Sequence, residues 1–116
     1  MRTEWEYTVT KPRNLSLGYG VDIGAYCYIN ASQEVIIEDE VQIGPFTAIL
    51  TVNTIDKVIG PIVIKRGAKI GAHSLILPNV TIGERAVCGA YSLIKEDVPA
   101  GAFVKGGNHK ARIQGY

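Results

Sequence analysis

Between Ile64 and Ala111 the sequence reads IKRGAK, IGAHSL, ILPNVT, IGERAV, CGAYSL, IKEDVP, AGAFVK, GGNHKA, eight blocks of six. Ile64, Ile70, Ile76, Ile82, Cys88, Ile94 and Ala100 open seven consecutive blocks. Four residues after each opener stands a small or β-branched residue: Ala68, Ser74, Val80, Ala86, Ser92, Val98 and Val104. Helices repeat near 3.6 residues and strands near 2, so neither accounts for a sustained six. A parallel β-helix does, with each block one short strand plus a bend. Three blocks close a triangular coil, and residues eighteen apart then stack.

Upstream the same period appears twice more. LGYGVD, IGAYCY, INASQE begins at Leu17, and Val35 and Ile36 are then supernumerary. IEDEVQ, IGPFTA, ILTVNT follows, opened by Ile37, Ile43 and Ile49. The nine residues 55–63, IDKVIGPIV, break the register and read as a protruding loop, the kind of insertion that often carries function. Residues 1–16 lie outside the pattern. There Trp5, Tyr7 and Val9 alternate with Glu6, Thr8 and Thr10 until Pro12, a short strand expected to cap the open first coil. The expected organisation is one all-β domain: a cap over 1–16, a parallel β-helix of about four to five coils over 17–111, and a tail over 112–116.

The 116 residues carry a net charge of +1, with basic and acidic residues interspersed, so no nucleic-acid surface is indicated. A hydrophobic content of 47% supports a folded core. No apolar h-region opens the chain and no apolar run approaches membrane-spanning length, which points to a soluble, cytoplasmic protein with no membrane partner. Cys27 and Cys88 fall at inward positions on the order of 14 Å apart, too far for a disulfide, and are expected reduced.

Assigning outward positions to the three faces of the prism separates two polar faces from an apolar one. The first face carries Tyr19, Asp22, Asp39, Glu40, Gln42, Arg66, Lys69, Glu84 and Arg85. The third carries polar residues such as Ser32, Thr54, Asn79 and Asp97. The second presents Ala25, Tyr26, Tyr28, Pro45, Phe46, Ala48, Ala72, His73, Leu75, Ala90, Tyr91 and Leu93, with Tyr26, Phe46, His73, Tyr91 and His109 in one vertical column. Such a strip is expected to be buried against copies of the same chain, and a triangular prism suits a homotrimer.

The order of motifs is itself informative. ILPNVTIG (Ile76–Gly83), GAYS (Gly89–Ser92), DVP (Asp97–Pro99) and GNHK (Gly107–Lys110) resemble the hexapeptide-repeat acyltransferase family, and within it the small sugar O- and N-acetyltransferases. The resemblance implies a left-handed β-helix, against the usual right-handed crossover. It also implies a trimer that takes an acyl-CoA, commonly acetyl-CoA, in clefts between subunits and transfers the acyl group to a small acceptor such as a sugar or nucleotide-sugar, with no metal. Carried over by motif, Ala72, Ser74, Ala90 and Ser92 would line the donor's pantetheine arm, and Lys105, Lys110 and Arg112 would meet its phosphates. The family's sugar acetyltransferases place a histidine base in or beside the loop after the second coil. Here Asn53 and Thr54 stand in that place, with Asp56 close by and His73 as the other candidate base. An amine acceptor would need no base. Two other functions share this prism. One is a non-catalytic trimeric scaffold or binding protein that lacks the loop histidine. The other is a γ-type carbonic anhydrase, whose zinc needs three histidines; His73 and His109, two coils and about 10 Å apart, do not supply them.

Overall fold

The computed structural model describes residues 6–107. Hexads that alternate two or three extended residues with a tight bend give many short strands, and sixteen are present. In chain order they are β1 Thr8–Thr10, β2 Leu15–Leu17, β3 Asp22–Ile23, β4 Tyr28–Asn30, β5 Val35–Ile37, β6 Gln42–Ile43, β7 Ala48–Leu50 and β8 Val52–Asn53. Then follow β9 Val58–Ile59, β10 Ile62–Ile64, β11 Lys69–Ile70, β12 Leu75–Ile76, β13 Thr81–Ile82, β14 Val87–Cys88, β15 Leu93–Ile94 and β16 Phe103–Val104. A single 3-10 turn, Pro12–Asn14, is the only helical element among the described residues.

Three parallel sheets form the walls of the prism: β1-β4-β7-β12-β15, β2-β5-β10-β13 and β3-β6-β11-β14-β16. The openers stack as the period requires. Ile23 pairs with Ile43, Ile43 with Ile70 and Ile70 with Cys88; Ile29, Ile49, Ile76 and Ile94 form a second column. With Ile37, Ile64 and Ile82 these fill an aliphatic interior, nearly all of it under 4 % exposed. The first coil is two residues long of eighteen, since Leu17 pairs with Ile37. The second is nine longer, since Ile37 pairs with Ile64.

Two expectations are corrected. Ala100 is exposed and opens nothing. Val98 bridges to Ile82 and Val104 pairs with Cys88, so the last coil is two residues short and Val98 and Ala102 take the inward places. The proline at 99, which cannot donate to a ladder, stands at that contraction. Ser92 bridges to Gly107; His109, expected in one column with Tyr91, lies outside the described residues. The excursion is also displaced. It is an antiparallel hairpin of β8 and β9 that leaves the coil after Thr51, whereas Ile62, assigned to the loop by sequence, is fully buried opposite Val35. Residues 6–16, expected as a cap, add the strand β1 to the first sheet and bury Tyr7 and Val9 at the end of the core.

The bends explain why a six-residue unit closes a corner. At one corner the chain turns in the left-handed region at Tyr26, Phe46, His73 and Tyr91 (φ 61, 61, 58 and 60). A second corner does the same at Gly20, Glu40, Gly67, Arg85 and Gly101. Placing a residue other than glycine there costs roughly 1–2 kcal/mol, so the side chains at the first corner must make contacts that offset it.

Candidate functional site

That first corner, which joins the β3-β6-β11-β14-β16 sheet to the β1-β4-β7-β12-β15 sheet, carries the most distinctive chemistry of the surface. Its four side chains stack into a ladder of rings. Tyr26 and Phe46 have centroids 5.4 Å apart, Phe46 and His73 4.8 Å, and His73 and Tyr91 5.0 Å, with interplanar angles of 18°, 13° and 7°. Stacked pairs of this kind are worth about 0.5–1.5 kcal/mol beyond burial, which offsets part of the backbone cost. The ladder stands at the corner itself; the flat wall beside it presents Tyr28, Ala48, Leu75 and Leu93. Tyr26, Phe46 and Tyr91 remain 60, 52 and 65% exposed in the single chain.

Immediately before each ring the chain is built from glycine. A Cβ on Gly71 would lie 2.4 Å from the Ala90 nitrogen, and one on Gly44 2.5 Å from the Ala72 nitrogen, so successive coils touch backbone to backbone. Without side chains here, a groove of about 440 Å³ runs along Gly24, Gly44, Gly71 and Gly89. Asp22, Gln42 and Lys69 wall its polar end; Val87 and Phe103 wall its apolar end. Lys105 is exposed just past β16, at the top of the same corner.

Ser74 and Ser92 lie beneath this groove rather than in it, each 2% exposed. Ser74 Oγ donates to the Gly71 carbonyl at 2.8 Å and accepts from the Ser92 N–H at 3.2 Å, and Ser92 Oγ donates to the Gly89 carbonyl. Thr47 continues the ladder below, its Oγ1 donating to the Gly71 carbonyl at 3.3 Å. These hydroxyls fix the peptides of the groove floor from inside. Ala72 and Ala90 remain as the small outward residues between groove and rings. Cys27 is buried in line with these hydroxyls, and Cys88 lines the groove floor from within; burial pushes the Cys88 thiol up to about 12 and raises that of Cys27, so neither is an available nucleophile.

The loop candidates occupy the opposite edge of the ring-bearing sheet. Asn53 Nδ2 donates to Asp56 Oδ2 at 3.0 Å, which orients the carboxylate at the hairpin tip beside Thr54. Gly60 N–H donates to the Thr51 carbonyl at 3.0 Å, and Asn79 Nδ2 to the Ile59 carbonyl at 3.3 Å, anchoring the hairpin base. Its tip is apolar as well, with Ile55 90% exposed. Within one chain the structure thus groups His73 with Ala72, Ala90 and Lys105, and keeps Asn53, Thr54 and Asp56 apart from them. Lys110 and Arg112 lie outside the described residues. Among the described residues no group of three or more His, Cys, Asp or Glu could hold a metal. No helix there is long and apolar enough to cross a membrane. The groove walls Lys69, Val87 and Phe103 went unrecognised in the sequence, although the glycine after each opener was its visible signal.

No known family profile matches the chain. Solved structures do. A hexapeptide-repeat-containing acetyltransferase of Vibrio cholerae superposes with a TM-score of 0.79 at 27% identity, covering 94% of this chain and 69% of that one. The same protein complexed with acetyl-CoA gives 0.83 at 26%, over 90% of this chain and 62% of that one. Among curated proteins, a dTDP-3-amino-3,6-dideoxy-α-D-galactopyranose 3-N-acetyltransferase of Aneurinibacillus thermoaerophilus is 44% identical over 57 residues, 49% of this chain and 29% of that protein. The bifunctional protein GlmU of Corynebacterium diphtheriae is 29% identical over 104 residues, 90% of this chain and 20% of that protein. The chain therefore spans between 20 and 29% of the length of these curated relatives. In fold it is a left-handed parallel β-helix of the hexapeptide-repeat type. In sequence it resembles the hexapeptide-repeat acyltransferases, sugar acetyltransferases among them.

Proposed function

We propose that this protein is an acyl-CoA-dependent acyltransferase, with acetyl-CoA as donor and a sugar or nucleotide-sugar as acceptor. The glycine-floored groove beside the ring ladder carries this reading. Its apolar end suits a pantetheine arm, Ala72 and Ala90 keep the approach open, and Lys105 offers a cation to the phosphates. Lys110 and Arg112 would add to that charge. The similarity to an acetyltransferase complexed with acetyl-CoA supports the same class of donor.

The working form is a homotrimer in the cytoplasm, packed through Tyr26, Phe46, His73 and Tyr91. Four exposed or half-exposed rings in one column support that packing, because a monomer would leave this apolar strip in water. Packing by rotation also brings the ring-bearing edge of one copy toward the hairpin edge of the next, so that Asn53, Thr54 and Asp56 of one subunit complete a site holding the donor on another. Calorimetry with acetyl-CoA, followed by CoA release against a panel of sugars and amino sugars, tests the activity. Absence of acetyl-CoA binding overturns it. A monomer in analytical ultracentrifugation at micromolar concentration overturns the assembly. A second reading, a trimeric binding protein without catalysis, is favoured by one observation: the hairpin 52–59 carries no imidazole. Donor binding with no turnover on any acceptor would establish it.

A further inference from the structure

Resting on the acyltransferase reading, we infer that the purine base of the acyl donor stacks on the outer face of the Tyr91 ring, as the next rung of the ladder. Three pairs of rings already set the spacing, at 5.4, 4.8 and 5.0 Å between centroids. Successive planes lie within 18° of parallel, so the stack follows the prism axis and Tyr91 turns one face toward the last coil. Among the described residues no ring follows it. Exposure agrees: Phe46, covered on both faces, is 52% exposed, whereas Tyr91, covered on one, is 65% exposed. Counting from the pair Cys88–Val104, the corner position that Tyr91 fills falls to Gly107 in the last described coil. Gly107 is left-handed like the residues below it (φ 92), and its N–H donates to the Tyr91 carbonyl at 2.6 Å. Gly106 is confined to glycine, because a Cβ there would run into the Ala90 carbonyl oxygen. Bare backbone thus passes the corner where a fifth side chain would have stacked.

A purine suits that face. Bases stack on aromatic rings through their π faces and need no hydrogen-bond pattern to do so. An acyl-CoA carries adenine at one end of its phosphate chain and the thioester at the other. Lys105 is exposed two residues before Gly107, within about 7 Å along the backbone, where phosphates attached to a stacked base would pass. From there the groove descends from Gly89 to Gly24, three coil steps or about 14 Å, and gives the extended arm its path. Its walls change in the same direction, from Phe103 and Val87 at the top to Lys69, Gln42 and Asp22 at the bottom. The donor is thereby oriented, base uppermost and thioester toward the polar end. Packing of the ladder against another copy uses ring edges and stacking on Tyr91 uses a ring face, so one assembly accommodates both.

The test uses the full chain and two donors, acetyl-CoA and S-acetyl-4′-phosphopantetheine, which keeps the arm and lacks the nucleotide. Calorimetry on the wild type, Tyr91→Leu and Tyr91→Phe reads the ratio of the two affinities, in which any change of assembly cancels. Tyr91→Leu should lower that ratio by at least about five-fold, whereas Tyr91→Phe, which keeps a ring, should hold it within about two-fold of the wild type. A second measurement needs no variant that must fold. In the wild type with CoA, the adenine H2 and H8 protons should shift upfield and show nuclear Overhauser contacts to the Tyr91 ring; where the truncated donor binds too weakly to measure, this contact decides. An unchanged ratio in Tyr91→Leu, or adenine protons without contact to Tyr91, overturns the inference while acetyl-CoA binding leaves the acyltransferase reading intact. Failure to bind acetyl-CoA at all removes that reading, and the inference with it.

Discussion

Gly71→Ala puts the coil-to-coil contact beneath the groove to a quantitative test. The added Cβ would meet the Ala90 nitrogen at 2.4 Å, the Ala90 Cα at 2.7 Å and the Gly89 carbonyl carbon at 2.7 Å. Comfortable separations begin near ~3.5 Å, so the shortfall is about 1 Å against backbone, which cannot rotate aside. The coils must spread locally. That loosens the flanking bonds from Gly71 N–H to the Cys88 carbonyl (2.7 Å) and from Tyr91 N–H to the Ala72 carbonyl (2.9 Å). Overpacking of this kind costs about 1–3 kcal/mol, and a weakened hydrogen bond adds about 1 kcal/mol, so roughly 3 kcal/mol is expected. Gly101→Ala is the control: its Cβ meets nothing within 4 Å, but φ is +72, so only the left-handed penalty of about 1–2 kcal/mol applies. With a urea m-value of about 2 kcal/mol/M, the midpoints should fall by roughly 1.5 M and 0.5–1 M respectively. Circular dichroism at matched protomer concentration reads both. A Gly71→Ala midpoint at or above that of Gly101→Ala would refute the contact argument.

Three further outcomes follow from other parts of the molecule. Phe46→Ala removes the ring that stacks on both Tyr26 and His73 within the chain; at about 0.5–1.5 kcal/mol per pair, unfolding free energy should fall by roughly 1–3 kcal/mol, read as a lower urea midpoint. Ser74→Ala leaves the buried Ser92 N–H without its acceptor and should lower stability by about 1–3 kcal/mol, visible as a lower thermal midpoint without loss of the parallel-sheet spectrum. The Cys88 thiol, raised by burial from 9.0 to about 12, keeps its proton in the folded chain where the unfolded chain has lost it. Unfolding free energy should therefore decline as pH climbs above about 9, a slope that Cys88→Ala reduces, and Cys88 should resist a thiol reagent at pH 8 until the chain is denatured.

The interior was legible because its register is repetitive. From Ile64 to Ile94 every opener and every fourth residue after it is buried, as the six-residue period requires. The period failed where the chain departs from it by deletion or insertion. Val98, Ala102 and Val104 keep the internal spacing of four and then two, a trace of the contraction that an unbroken count of sixes concealed. The hairpin bounds slipped because Val52 and Ile59 resemble core residues as readily as hairpin ones, and only pairing distinguishes them. For the site, the ring column from Tyr26 to Tyr91 was readable from spacing alone. Its position at a left-handed corner was not, since large side chains rarely adopt that backbone. The groove escaped notice because it is made of side chains that are missing, and a row of glycines reads first as an economy of space.

Outside the β8–β9 hairpin, every rung of the ladders among the described residues joins residues between 15 apart, as in Ser92 and Gly107, and 27 apart, as in Val35 and Ile62. No rung links the first coil to the last. The molecule is therefore a one-dimensional stack in which each layer feels only the layers above and below. Order spreads along it as along a zipper, from any coil that forms first, and damage spreads the same way. A fault between Gly71 and Ala90 would not melt the domain uniformly. It would divide the prism into two shorter stacks, parting the top of the groove, beside Lys105, from the hairpin below.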